Sequence, residues 1–127
     1  MKVRVHDTAE LAWDRIGDVS DYDINEEQVN SQVRHHEHGT DTGLEFMEVY
    51  YVADTFIPPH WHDVSELIYV AEGELHFGAK VLRPGSSVFV DKEAVYSFRA
   101  GPQGLKMLLF RPKGGAEIHM RGDHAGN

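Results

Sequence analysis

The chain has 127 residues, no cysteine and a formal charge of -9 at pH 7. This length allows one domain with a real core, and a hydrophobic fraction of 41% is too high for a chain disordered by composition. The acidic balance argues against nucleic acid and anionic lipid as partners, and the missing thiols exclude disulfides, thiolate ligands and a cysteine nucleophile. No apolar run approaches 18 residues and no signal peptide is recognisable, so we expect no membrane span and a cytoplasmic location.

Three regions follow one another along the chain. Residues 1–28 form an N-terminal arm, in which residues 8–16 predict a short helical turn with Thr8 as its N-cap. A β-rich body is predicted for residues 29–112. The glycine-rich polar tail, residues 113–127, is predicted to be flexible and loosely held.

The body is a succession of short strand-like segments separated by Gly, Pro and Asp. We predict tight turns at residues 72–74 and 101–104. Because no helical period appears, the pattern predicts an all-β sandwich or small barrel. The predicted strands are 30–38, 44–53, 66–72, 74–77, 80–83, 86–90, 95–100 and 105–111.

The strongest chemical pattern starts at His60. His60 and His62 stand two residues apart, so their imidazoles leave the same face of an extended chain. Glu66 follows four residues later and can return to the same point after a short bend. Two histidines and one carboxylate favour Fe(II), Mn(II), Zn(II) or Ni(II), and they leave positions open for water, O₂ or a substrate. The pattern therefore predicts a mononuclear divalent-metal site on these three residues.

This segment resembles the first motif of the cupin superfamily, which reads HxH, three or four residues, Glu, six residues, Gly. The spacing matches at every step from His60 to Gly73, whereas Asp54 stands six positions before His60, where the family usually has glycine. The resemblance implies an all-β, cupin-type jelly-roll barrel with a short N-terminal arm. It also implies a homodimer, because small cupins are commonly dimers.

The second cupin motif is preserved only at its opening glycine, Gly85. Asp91 and Glu93 replace the usual proline and glycine, and Tyr96 takes the position of a metal-binding histidine. Two roles for Tyr96 remain open: a phenolate ligand, which would favour iron, or a hydrogen-bond donor or acid/base beside the metal. We treat Tyr96 and Glu66 as candidate catalytic residues and Tyr96 as a candidate fourth ligand.

Alternation along predicted strands assigns further side chains to faces. Met47, Val49 and Tyr51 share one face and suggest a pocket for a small, partly apolar or aromatic substrate. Trp61 must point away from the two neighbouring histidines, toward the outside of the barrel or a dimer face. His119 and His124 are predicted to be solvated in the tail.

A second group of histidines lies on the first predicted strand. His36 and His38 share a face of that strand, and His35 opposes them. We expect all three to be exposed, and the sequence assigns them no role.

Three functions fit these residues. The favoured one is a small-molecule dioxygenase that uses Fe(II) on His60, His62 and Glu66. The second is a redox-neutral lyase, cyclase or isomerase, with the metal as Lewis acid and Tyr96 as acid/base. The third is a non-catalytic ligand-binding or sensor cupin. The same ligands serve Fe, Mn, Zn and Ni, so the sequence does not choose among the metals.

Overall fold

The computed structural model describes residues 2–20, 24–40, 43–114 and 117–120. Antiparallel strands dominate this part of the chain, and its two helices have four residues each. The all-β prediction is therefore confirmed. None of the described helices is long and apolar enough to cross a membrane. The elements are β1 Asp14–Arg15, α1 Ile16–Val19, α2 Glu26–Val29, β2 Gln32–His38, β3 Glu45–Tyr51, β4 Phe56–His62, β5 Glu66–Phe77, β6 Lys80–Leu82, β7 Ser87–Val90, β8 Tyr96–Arg111 and β9 Ile118–Met120.

The strands form one curled sheet around β8. Along the main path the strand order is β1-β2-β3-β8-β4-β9, and β5 pairs with β8, β6 and β7. Because β8 is 16 residues long, its C-terminal half pairs with β3 and its N-terminal half with β4, while β5 runs along its other edge. The inner face holds the core, in which Ile68, Val70, Leu75 and Leu105 are almost fully buried.

The two predicted tight turns inside the body are wrong. Residues 66–77 form the single strand β5, and residues 96–111 form the single strand β8. Gly73 has a φ of +75° at a point where the β5–β8 register shifts, and a Cβ on it would lie 2.1 Å from the carbonyl oxygen of Gly104. The glycine therefore marks a β-bulge with close backbone approach rather than a turn.

The strand β4, which carries the two histidines, was missing from the predicted strands. Pro58 and Pro59 interrupt its sequence pattern, and prolines lower the strand propensity of a segment. In the structure they lie where the β4–β8 register shifts between Ile57 and His60, so no regular ladder is lost there.

The N-terminal arm also differs from prediction. The predicted short helical turn is confined to residues 7–11, where the Leu11 N–H donates to the Asp7 carbonyl oxygen. Asp7 rather than Thr8 caps it, because its Oδ1 accepts from the Ala9 N–H, and the two short helices follow later. The second, α2, begins at an N-cap, Asn25, whose side chain accepts from the Gln28 N–H while the Gln28 side chain accepts from the Asn25 N–H. This capping box was present in the sequence as an Asn followed three residues later by Gln.

The tail contributes a strand to the sheet. β9 pairs antiparallel with β4, with His119 opposite Trp61. The prediction of a flexible tail therefore does not apply to residues 118–120, whereas His124 lies outside the described residues. This pairing places a strand of the tail directly beside the strand that carries His60 and His62.

Candidate functional site

A cavity of about 410 Å³ opens between the inner face of the sheet and the N-terminal helices. Its walls are mainly apolar, and Met47, Val49 and Tyr51 line it together, as their alternation on the strand predicted. Ile16 of α1 and Met120 of β9 also line it. The polar or titratable side chains that line it are Ser20, Gln28, His35, Glu45, Tyr51, His60, His62, Tyr96 and Arg111.

His60 and His62 both point into this cavity from β4. Their exposed fractions are only 7% and 4%, and their ring centroids lie 5.0 Å apart. Trp61 points the opposite way, as predicted, and stacks on His119 with ring centroids 4.0 Å apart and an angle of 16°. Its cover is therefore the chain's own β9, and His119 is packed against a ring rather than freely solvated.

The protonation of the two histidines suits a ligand role. The Nδ1 atom of His60 donates to the Pro58 carbonyl oxygen at 2.8 Å, which leaves the lone pair of Nε2 available. Burial lowers the pKa of His60, and it lowers the pKa of His62 to about 4. At neutral pH both rings are therefore uncharged, as metal ligation requires.

Glu66 is held by hydrogen bonds on both of its oxygens. The hydroxyl of Tyr96 donates to Oε1, and Nε of Arg111 donates to Oε2 at 2.9 Å. The same guanidinium donates through Nη1 to Oε1 of Glu45 at 2.8 Å. Oε1 of Glu66 also lies 3.8 Å from Nε2 of His62. The carboxylate therefore lies beside His62 while both of its oxygens accept hydrogen bonds from Tyr96 and Arg111.

These contacts set the charges of the group. Burial raises the pKa of Glu66, but Arg111, His62 and Tyr96 outweigh it and keep that pKa below its usual range. Burial, and then the Glu66 charge, raise the pKa of Tyr96 well above its usual range. The site therefore holds a carboxylate, a guanidinium and a neutral phenol that acts as a donor.

The described parts of the chain contain no group of three or more His, Cys, Asp or Glu side chains already placed to hold a metal ion. The donor types at the site, imidazole nitrogen and carboxylate oxygen, are nevertheless ones that divalent transition metals accept. Two neutral imidazoles offer nitrogen ligands. A carboxylate oxygen has more than one acceptor site, so Oε1 of Glu66 can keep the Tyr96 hydrogen bond and still face a cation beside His62. His60, His62 and Glu66 would then hold the ion, and Tyr96 would support Glu66 rather than ligate.

Arg111 was not identified from the sequence. It is the last residue of β8, and Glu45 and Glu66 are the first residues of β3 and β5. Only the pairing of these three strands brings the residues together, and nothing in the local sequence signals it.

Of the three histidines of β2, His38 is exposed as predicted, whereas His35 and His36 are half-buried. The register of β2 against β3 shifts between His35 and Glu37, so simple alternation fails there. His35 lines the cavity and stacks on His38, with ring centroids 4.4 Å apart. His36 lies on the outer face, where its Nε2 contacts Oε1 of the buried Glu48 at 2.7 Å.

Two departures from the cupin motifs preserve the backbone conformation that glycine would give. Asp54 and Glu93, which stand where the motifs usually have glycine, have φ values of 62° and 67°. The N–H of Glu93 donates to the carbonyl oxygen of His62 at 2.7 Å. This hydrogen bond connects the loop before β8 to His62, the last residue of β4. The positive φ of Glu93 therefore helps to position the site.

Comparison with known proteins supports the same fold. No family model and no curated protein sequence matches the chain, but many solved structures do. An RmlC-like cupin from Ralstonia eutropha superposes with a TM-score of 0.75 at 13% identity, covering 98% of this chain and 76% of the other. An RmlC-like cupin from Shewanella frigidimarina gives 0.67 at 18% identity, with 90% and 94% covered. The polyketide cyclase RemF from Streptomyces resistomycificus gives 0.69 at 21% identity, with 95% and 86% covered.

These likenesses show the fold. The chain is a small cupin-fold protein with an all-β jelly-roll architecture, as the sequence predicted. A cupin barrel hosts many activities, so the function has to be argued from the site itself.

Proposed function

We propose that this protein is a divalent-metal-dependent enzyme that acts on a small, largely apolar molecule, with dioxygenase-type chemistry as the leading activity. One observation carries the proposal: two buried, uncharged histidines line an apolar cavity, and an oxygen of the buried Glu66 carboxylate lies 3.8 Å from Nε2 of one of them, His62. Two histidines and one carboxylate leave up to three positions on an ion for a substrate and O₂. A bound ion would supply Lewis acidity and, as iron, the redox chemistry that O₂-dependent cleavage needs.

The protein's own residues would bind and orient the substrate. Apolar side chains such as Met47 and Phe98 offer a surface for an aliphatic or aromatic body. The neighbouring rings of His60, His62 and Tyr96, whose centroids lie 4.4–6.1 Å apart, would fix its oxygen-bearing end. Ile16 and Val19 of α1 add two further apolar side chains to the lining of the cavity. The neutral hydroxyl of Tyr96 lies against Glu66 and is placed to hold a proton near a bound ligand.

Oxygen uptake by metal-loaded protein tests this activity. Protein purified without an affinity tag or chelator is loaded separately with Fe(II), Mn(II), Zn(II) and Ni(II), and O₂ consumption is measured with small aromatic and 1,3-dicarbonyl compounds. We expect substrate-dependent uptake with a redox-active ion and none in the His60→Ala/His62→Ala double variant. Uptake that is equal in that variant would contradict the proposal.

A redox-neutral reaction, such as a cyclisation or isomerisation, is the second candidate. The hydrogen bond between Tyr96 and Glu66 favours it, because a buried phenol and carboxylate in contact form an acid/base pair. The fold likeness to the polyketide cyclase RemF agrees with such chemistry without establishing it. Conversion of a panel compound without O₂ consumption, lost in Tyr96→Phe, would select this reaction over the dioxygenase.

A further inference from the structure

We infer that Arg111 is an internal counter-ion that competes with a divalent metal for Glu66 and thereby sets the metal affinity of the site. This inference rests on the proposed metal site. It assigns a role to a residue that lies outside both cupin motifs.

The geometry places one guanidinium between two buried carboxylates. Nε of Arg111 lies 2.9 Å from Oε2 of Glu66, and Nη1 lies 2.8 Å from Oε1 of Glu45. The side chains of Arg111, Glu66 and Glu45 are 10%, 0% and 8% exposed. Glu45 and Arg111 are directly paired across β3 and β8, so the strands fix this arrangement.

A buried carboxylate requires a nearby positive charge, because burial without one is costly. Arg111 supplies that charge to Glu66 within the chain, so the barrel does not need a metal in order to fold. A divalent ion that approaches Glu66 meets a second cation on the same carboxylate. The two cations repel one another, and the interior screens this repulsion poorly.

The alternative role for Arg111 is to orient Glu66 for the metal, and the two roles predict effects of opposite sign on metal affinity for Arg111→Met. If Arg111 competes, its replacement by methionine should tighten metal binding, because Glu66 and Glu45 both lose their internal partner. Replacement of Glu45 by glutamine should weaken metal binding. Glu66 is then the one remaining charged partner of Arg111 in this group, so the guanidinium holds Glu66 more strongly against a metal ion. If Arg111 only orients Glu66, both substitutions should weaken metal binding, since loss of a residue that orients a ligand typically costs about 10- to 100-fold in affinity.

Zn(II) affinity, measured by competition with a chromophoric chelator, separates these cases. We expect Arg111→Met to bind Zn(II) at least about tenfold more tightly than the wild type and Glu45→Gln to bind it more weakly. Arg34→Met is the matched control, because Arg34 donates to Glu48 at 2.9 Å and does not line the cavity. That control should lose comparable stability while its Zn(II) affinity stays within about twofold of the wild type.

Arg111→Lys keeps the inference testable if the methionine variant does not fold. A lysine retains the competing charge but not the planar fork that joins two carboxylates, so competition predicts Zn(II) affinity near that of the wild type. Weaker binding in Arg111→Met or Arg111→Lys would overturn the inference in favour of an orienting role. Absence of Zn(II) binding in the wild type, Arg111→Met and Arg111→Lys would overturn the proposed metal site as well. Wild-type binding that depends on the histidines but is unchanged in Arg111→Met would overturn the inference alone.

Discussion

Removal of the Tyr96 hydroxyl should destabilise the protein through Glu66. Tyr96 is 8% exposed and Glu66 is 2% exposed. Water therefore does not take the place of the Tyr96 hydroxyl as a hydrogen-bond donor to Glu66. A hydrogen bond to a charged group contributes about 1.5–3 kcal/mol to stability, and we expect Tyr96→Phe to lower the free energy of unfolding by that amount. For a chain of this size, 1 kcal/mol corresponds to a shift in Tm of roughly 3–6 °C.

Urea unfolding followed by circular dichroism at pH 7 measures this loss, with Tyr51→Phe as the control. Tyr51 lines the same cavity, but its hydroxyl makes no hydrogen bond within the described residues. The control should therefore change the free energy of unfolding by no more than about 0.5 kcal/mol. Equal stability of Tyr96→Phe and the wild type would refute the role assigned to the Tyr96–Glu66 contact. As a donor rather than a ligand, Tyr96 should also give no phenolate-to-iron charge-transfer band in Fe(III)-loaded protein, and such a band would show that it ligates.

Three further predictions concern other parts of the molecule. Burial raises the pKa of Glu48, but its hydrogen bonds to Arg34, His36 and Lys106 lower it to about 2. The charged carboxylate should therefore add about 2–3 kcal/mol to the free energy of unfolding above pH 4.5, and this contribution should be lost as the pH falls toward 2. The stability difference between wild type and Glu48→Gln in urea should shrink over that range, and a constant difference from pH 6 to pH 3 would contradict it. Glu93→Gly should raise stability by up to about 1 kcal/mol, because glycine adopts a φ of 67° without strain, and a lower Tm would contradict this. Large apolar side chains such as Phe89, which is 66% exposed, remain on the outer face, and we predict a homodimer; sedimentation at a mass near 14.4 kDa across micromolar concentrations would refute the dimer.

The local part of the site followed from the sequence. The two-residue spacing of His60 and His62 fixed their common face, and the alternating pattern of β3 identified Met47, Val49 and Tyr51 as cavity residues. Local periodicity carries such information because it depends only on neighbouring residues. The sequence predicted a tight turn at Gly73, and the close backbone approach that the structure shows there, a carbonyl oxygen 2.1 Å from where a Cβ would stand, carried no local signal.

The contacts of the site that depend on strand pairing could not be predicted from the sequence. Arg111 reaches Glu66 only because β8 lies between β3 and β5, and residues 45 positions apart in the chain carry no local sign of this pairing. Because of the bulge between His35 and Glu37, His38 stacks on His35 instead of sharing a face with His36. The pairing of β9 with β4 likewise depends on chain reversal after β8, and a polar, glycine-rich composition does not predict it.

Metal content is the measurement that tests the central proposal most directly. Wild-type protein and the His60→Ala/His62→Ala double variant are purified without tag or chelator, equilibrated with a mixture of Fe(II), Mn(II), Zn(II) and Ni(II), desalted and analysed by mass spectrometry of the metals, while circular dichroism reports the fold of each. We expect up to one divalent ion per wild-type chain, none in the double variant, and the same β-rich spectrum for both, because Arg111 and the apolar core hold the barrel without metal. Equal metal content in the two proteins would contradict the account.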